Sequence, residues 1–205
     1  MRYADENGLD GVNFDFEEEL KQGSQESKAY TKLFKRQPGP RTIYEYQALG
    51  RLADLVFVMG YDEQSQMWEN ERCRARPNSP LMKTFSGVRK YLQMGIEASK
   101  LVLGVPWYGY RYPCEELSEG VCYIREVPDA AGREFAYKDI LGMLKKSKTG
   151  RKWDEVAKAP HFDYSEGDIT YQVWYDDPES LFVKYKVTTN SLMNHKTYDC
   201  SLDCC

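Results

Sequence analysis

The chain has 205 residues, with 28 basic against 32 acidic side chains, a formal net charge of −4 and 41% hydrophobic residues. That length suits one domain or two small ones, and the acidic balance argues against nucleic acid, whose binders carry a basic excess on some face. No apolar run reaches the roughly 18 residues of a membrane-spanning helix, so no membrane partner is expected.

In chain order, Asn7-Gly8 reads as a left-handed helix C-cap. Asp10-Gly11-Val12-Asn13-Phe14-Asp15-Phe16-Glu17 follows with strict alternation, the signature of a strand. Charged residues from Glu18 to Arg36 read as a helix, which Pro38-Gly39-Pro40 ends. Tyr44 to Leu52 is a second helix candidate. Leu55-Val56-Phe57-Val58-Met59-Gly60-Tyr61 is a continuous apolar run, expected to be a strand buried on both faces. Leu81, Phe85, Val88 and Leu92 recur at helical spacing. Leu101 to Tyr108 is a second buried-strand run. From Tyr110 to Tyr171 the pattern mixes turns with one helix on Tyr137, Ile140, Leu141 and Leu144. Gln172-Val173-Trp174-Tyr175 is a short strand, and Asp176-Asp177-Pro178 opens a helix with Asp as N-cap and Pro at its start. From Thr188 to Cys205 there is no period.

Strands alternating with helices predict parallel βα units in an α/β fold. The chain offers three convincing parallel-type strands, whereas a closed barrel needs eight and about 250 residues. Aromatic content is high at 14%. Such side chains either fill a core or present flat faces to ligands.

The chemistry concentrates on the first strand. Asn13, Asp15 and Glu17 share one face, about 6.8 Å apart at alternate positions. If that face lines an enclosed cavity, burial and mutual repulsion raise one carboxyl of the Asp15–Glu17 pair. A carboxyl that keeps its proton near neutrality can act as a general acid. The alternative is an edge strand with its polar face in water.

The string DGVNFDFE resembles the Asp-x-x-Asp-x-Asp-x-Glu signature of glycoside hydrolase family 18, the chitinase family, at the end of the fourth barrel strand. It matches at Asp10, Asp15 and Glu17 and departs at Asn13, where the family usually has Asp. Met59-Gly60-Tyr61-Asp62 is similar to the family's strand-six segment, and Gly104-Val105-Pro106-Trp107-Tyr108-Gly109 to its strand-seven segment. Val173 to Asp177 resembles the segment that closes an inserted small domain. The resemblance implies an incomplete TIM (β/α)8 barrel with a small α+β insertion after strand seven. Residues 1–109 would be partial barrel (strands four, six and seven), 110–175 the insertion, 176–187 a barrel helix and 188–205 a divergent Cys-containing tail.

The same resemblance implies a glycosidase acting on β-1,4-linked N-acetylglucosamine oligosaccharides, by a substrate-assisted retaining mechanism and with no cofactor. Catalysis would fall to Glu17 as proton donor, Asp15 as orienter of the substrate acetamide and Tyr61 as its hydrogen-bond partner. Asn13, Asp62, Trp107 and Tyr108 would bind substrate. Asn13 together with Tyr61 to Gln66 and Val105 to Tyr110 resembles the pattern of a lysosomal branch that trims chitobiose-core oligosaccharides. A lysosomal or extracellular location and a monomer follow as expectations.

Barrel strands one to three and strand eight have no counterpart here, and only Arg41-Thr42-Ile43 stands where strand five would be. An inactive fragment, or a sugar-binding protein without turnover, is therefore the alternative. Met1 to Glu6 lacks the basic and apolar regions of a signal peptide. Of the six cysteines, Cys114 and Cys122 flank a short acidic segment and read as a disulfide or as two free thiols. No C-x-x-C pair supports zinc, and Cys200, Cys204 and Cys205 fall one ligand short, with His195 the one residue that could complete them. No metal site is expected.

Overall fold

The computed structural model describes residues 6–11, 13, 15, 46–63, 74–124 and 132–194, without the side chains of 47–49 and 190–194. Several expectations lie outside the described residues: Val12, Phe14, Phe16 and Glu17, the helix over 18–36 and its break, Arg41-Thr42-Ile43, Cys73, and the tail from His195 with Cys200, Cys204 and Cys205.

Two sheets organise the rest. The first pairs β1 (Val56–Met59) in parallel with β2 (Leu101–Gly104), in the register Val56↔Leu101 to Met59↔Gly104. Their crossover carries α2 (Leu81–Gln93) and a short 3-10 helix, Ala98–Lys100. α2 buries Thr84, Phe85 and Val88, so the face set by its spacing is the one turned inward. α1 (Tyr46–Leu52) is tied on by Tyr46, edge-on to Tyr91 at 5.5 Å, and by Lys100 Nζ, which donates to the carbonyls of Gly50 (2.8 Å) and Ala53 (3.0 Å).

The second sheet is antiparallel. It contains β3 (Tyr108–Ser118), β4 (Val121–Ile124), β5 (Arg133–Ala136), β6 (Lys152–Asp154), β7 (Ala159–Glu166) and β8 (Ile169–Tyr175). Their order is β4-β3-β8-β7-β6, with β5 paired to the first half of β3. α3 (Tyr137–Leu144) covers one face, where Ile140, Phe162, Tyr164, Val173 and Tyr175 form a core. The opposite face buries Tyr112, Cys122, Ile124 and Trp174 against Ala75, Ala157 and Ala159. Cys114 and Cys122 form a disulfide across the β3–β4 hairpin. Closing so small a loop removes roughly 2.5 kcal/mol of chain entropy from the unfolded state.

α4 (Pro178–Asn194) begins as its first residues predict. Asp177 Oδ1 accepts from the Ser180 N–H at 3.0 Å, and Ser180 Oγ accepts from the Asp177 N–H at 2.9 Å, a reciprocal cap. α4 packs on α2, and its Lys184 forms a fully buried ion pair with Asp176.

Five local expectations are corrected. The Leu55–Tyr61 run is covered on one face only: Val58 is buried while Leu55 and Phe57, on the opposite face, are 65% and 53% exposed. The Leu101–Tyr108 run is broken after Gly104, before Pro106, which has no N–H to pair, and Tyr108 starts a strand of the other sheet. The mixed stretch after Tyr110 is a nearly complete sheet with one helix. Asn13 and Asp15 are exposed and lie in no strand, with Val12, Phe14, Phe16 and Glu17 outside the described residues. The last helix runs past Val187 to Asn194.

Candidate active site

The two parallel strands end side by side. Beyond β1, the Gly60 N–H donates to Gly104 O at 3.0 Å and extends the pairing by one residue. The chain then delivers Tyr61, Asp62 and Glu63 at the C-terminal end of the sheet, where ligands of parallel sheets bind. Beyond β2, Trp107 and Tyr108 arrive at the same end.

Gly109 makes that arrival possible. It pairs with Tyr175, and a Cβ there would fall 2.3 Å from Trp174 O. With β3 so close to β8, strand alternation puts Tyr108, Tyr110 and Tyr112 on one face. The rings run in sequence from Tyr61: 6.3 Å to Tyr108, 6.0 Å on to Tyr110 and 6.0 Å on to Tyr112. The Tyr112 hydroxyl donates to Arg76 O at 3.0 Å, which fixes the far end.

Asp62 is the hub. Its φ is +54°, a left-handed conformation that Asp tolerates better than most residues. Its N–H donates to Asn78 Oδ1 at 2.6 Å, and the next N–H, of Glu63, donates to Asn78 O at 3.0 Å. The hydroxyls of Tyr108 and Tyr110 both donate to Asp62 Oδ1, at 2.7 and 2.6 Å. Burial raises both phenols well above their ordinary range, and the bond to Asp62 raises them further. They therefore remain donors at any physiological pH.

Glu63 faces away from this hub. Its Oε2 accepts from Thr84 Oγ1 at 3.0 Å, and burial pushes its carboxyl up to about 7. Trp107 is 53% exposed, with its ring tilted against Tyr137 at 4.7 Å, so one side packs and the other stays open.

Of the residues expected from sequence, Tyr61, Asp62 and Tyr108 are thus brought together, with Trp107 at the same strand end. Asn13 and Asp15 are exposed and make no hydrogen bond or ion pair with the described residues, and Glu17 lies outside those described. Tyr110 and Asn78 join the site without being expected there from sequence. The alternation Tyr108-x-Tyr110-x-Tyr112 carries a signal for the first; Pro77-Asn78-Ser79-Pro80 carries none beyond a turn. Among the described residues no cluster of His, Cys, Asp or Glu could hold a metal ion. None of their helices is long and apolar enough to cross a membrane.

The sequence profile described as "Glycosyl hydrolases family 18" matches residues 1–193. The di-N-acetylchitobiase of Homo sapiens is 38% identical over 86% of this chain and 53% of its own length. That of Mus musculus is 36% identical over 89% of this chain and 58% of its own. The chain spans about half the length of the curated relatives it matches. Among solved structures, the spore cortex-lytic enzyme SleL of Bacillus cereus superposes with a TM-score of 0.67 at 20% identity, covering 93% of this chain and 44% of that one. A mutant class V chitinase from Nicotiana tobaccum in complex with NAG4 gives a TM-score of 0.58 at 19% identity, over 72% of this chain and 44% of that one. At such identity these two likenesses speak for the fold.

Proposed function

The chain belongs to glycosyl hydrolase family 18, and on that premise we propose that it carries the catalytic site of a glycosidase for β-1,4-linked N-acetylglucosamine oligosaccharides of the chitobiose-core type. On this reading residues 1–109 are part of a (β/α)8 barrel, 110–175 an α+β insertion, the helix Pro178–Asn194 a barrel helix and 195–205 a divergent tail. The observation that carries the proposal is the convergence of Tyr61, Asp62 and Tyr108 at the C-terminal ends of β1 and β2.

The chemistry needs no cofactor. The substrate's 2-acetamido oxygen attacks the anomeric carbon, the glycosidic C–O bond breaks, and Glu17 gives its proton to the leaving oxygen. Asp15 orients the acetamide and stabilises its positive N–H, while Tyr61 donates to the attacking oxygen. Water then attacks the anomeric carbon of the oxazolinium ion and yields its proton to Glu17, restoring the acetamide with net retention. Asn13 and Asp62 contact sugar groups, and Trp107 and Tyr108 offer faces to the rings. Asn13 cannot ionise, so Asp15 and Glu17 have one fewer charge beside them than in the usual pattern. The partners are thus N-acetylglucosamine oligosaccharides, met by a monomer in a lysosomal or extracellular setting. The Cys114–Cys122 disulfide suits such an oxidising compartment.

A second reading, sugar binding without turnover, is favoured by one observation: Asn13 and Asp15 lie exposed and outside any strand. Hydrolysis of a fluorogenic chitobiose substrate by the purified chain, beside Glu17→Gln and across acidic to neutral pH, separates the two. Turnover that drops by about 10² or more in the variant is expected. Saturable chitobiose binding without turnover in either protein would support the second reading instead.

A further inference from the structure

Tyr110 has no part in the roles above, yet its hydroxyl donates to Asp62 Oδ1 at 2.6 Å, beside that of Tyr108 at 2.7 Å. A carboxylate oxygen offers two lone pairs. Two phenolic donors at these distances occupy both. Asp62 Oδ2 has no hydrogen-bond partner among the described residues, and Asp62 is exposed.

The hub is held from the other side as well. Asn78 is 2% exposed, and its Oδ1 takes the Asp62 N–H at 2.6 Å, which fixes the left-handed backbone. Tyr110 is itself locked. It pairs with Trp174 across β3 and β8, and its ring lies between those of Tyr108 and Tyr112. Neither the carboxylate nor its clamp is free to turn.

We propose that Tyr110 and Asn78 are positioning residues that present Asp62 Oδ2 as a single fixed acceptor, selecting a ligand that offers one hydroxyl or amide N–H at that point. This deepens the glycosidase reading and rests on it. The donor belongs to an N-acetylglucosamine unit. An acceptor or a methylated oxygen placed there meets a carboxylate with no proton to give, so the site rejects it.

Tyr110→Phe keeps the ring and removes one donor. A contact made equally in the ground and transition states acts on KM and leaves kcat alone. With chitobiose oligosaccharides the variant is expected to raise KM about ten-fold or more, the usual scale for a lost hydrogen bond to a charged group, with kcat within about two-fold. In an Asp62→Ala background the same substitution should add nothing, because the two act as one unit. An equal KM increase in both backgrounds, or a loss confined to kcat, overturns the proposal. Calorimetric dissociation constants for chitobiose, measured on Glu17→Gln with and without Tyr110→Phe and with and without Asp62→Ala, keep the two ideas separate. If wild-type protein binds without turnover and the Asp62-dependent penalty persists, the glycosidase reading fails and the positioning role stands. If chitobiose does not bind at all, both fall.

Discussion

Burial pushes the Glu63 carboxyl up to about 7. Thr84, on α2, donates to its Oε2, and Lys83 Nζ donates to its backbone carbonyl at 3.3 Å. From the α4 side it meets the buried Lys184–Asp176 pair, whose cation lowers its pKa and whose anion raises it. Both protonation states can be satisfied. Ionised Glu63 accepts from Thr84, which in turn accepts from Ser79. Protonated Glu63 can donate to Thr84, whose own proton can turn to Pro80 O, 3.3 Å away. A carboxyl raised in the folded state has its stabilising contribution in full below about pH 4.5, where it is protonated folded and unfolded alike. That contribution is lost as pH rises through about 7, where the folded state must also ionise it. Glu63→Gln should therefore match wild type at pH 4.5 and melt higher at pH 8, by on the order of 3 °C. Thermal melts across that range check this, and parallel curves for the two proteins would rule it out.

At the scale of elements, the β3–β4 hairpin closes Ser118↔Val121 over Glu119 and Gly120, with φ of +52° and +83°. Two left-handed residues make a type I′ turn, which matches the strand twist. Gly120 suits its place, but Glu119 bears a Cβ at a cost of roughly 1 kcal/mol. Glu119→Asn should stabilise the chain by about 0.5–1 kcal/mol, seen as a higher urea midpoint at unchanged slope. A lower midpoint would mean that the Glu119 side chain stabilises the hairpin by more than its backbone strain costs.

Elements with one clear period are legible in the sequence. α2 follows from Leu81, Phe85 and Val88, and the start of α4 from its Asp-Pro cap. β3 is hidden. Its tyrosines alternate, but Arg111 on the other face is no solvent-facing residue. Its guanidinium lies between Phe135 (4.8 Å) and Tyr171 (4.4 Å) and bonds Tyr164. Pro113 then interrupts the strand pattern, in the gap between the stretch paired to β5 and that paired to β4.

For the molecule as a whole, the legible part of the site is the part carried by strand ends. Tyr61, Asp62 and Tyr108 close adjacent strands, so their segments report on one place. Tyr110 and Asn78 reach Asp62 across 48 and 16 residues, through a fold that local pattern does not encode. The two sheets also differ in support. β8 is flanked by β3 and β7, with a core on each face and a disulfide on the neighbouring hairpin. Among the described residues β1 pairs with β2 alone, and Leu55, Phe57, Met59 and Val102 stand exposed. A two-stranded sheet is marginal by itself, and regions with few buried contacts open at lower free energy than core strands. Amides of Val56–Met59 and Leu101–Gly104 should therefore exchange hydrogen on the order of tenfold faster, or more, than those of Phe162, Tyr164, Val173 and Trp174. Equal protection in both sets would instead mean that the sheets open as one unit. In that case the loops around Asn78 and Asp62, which tie the end of β1 to the face of β3, transmit the stability of the larger sheet to the smaller.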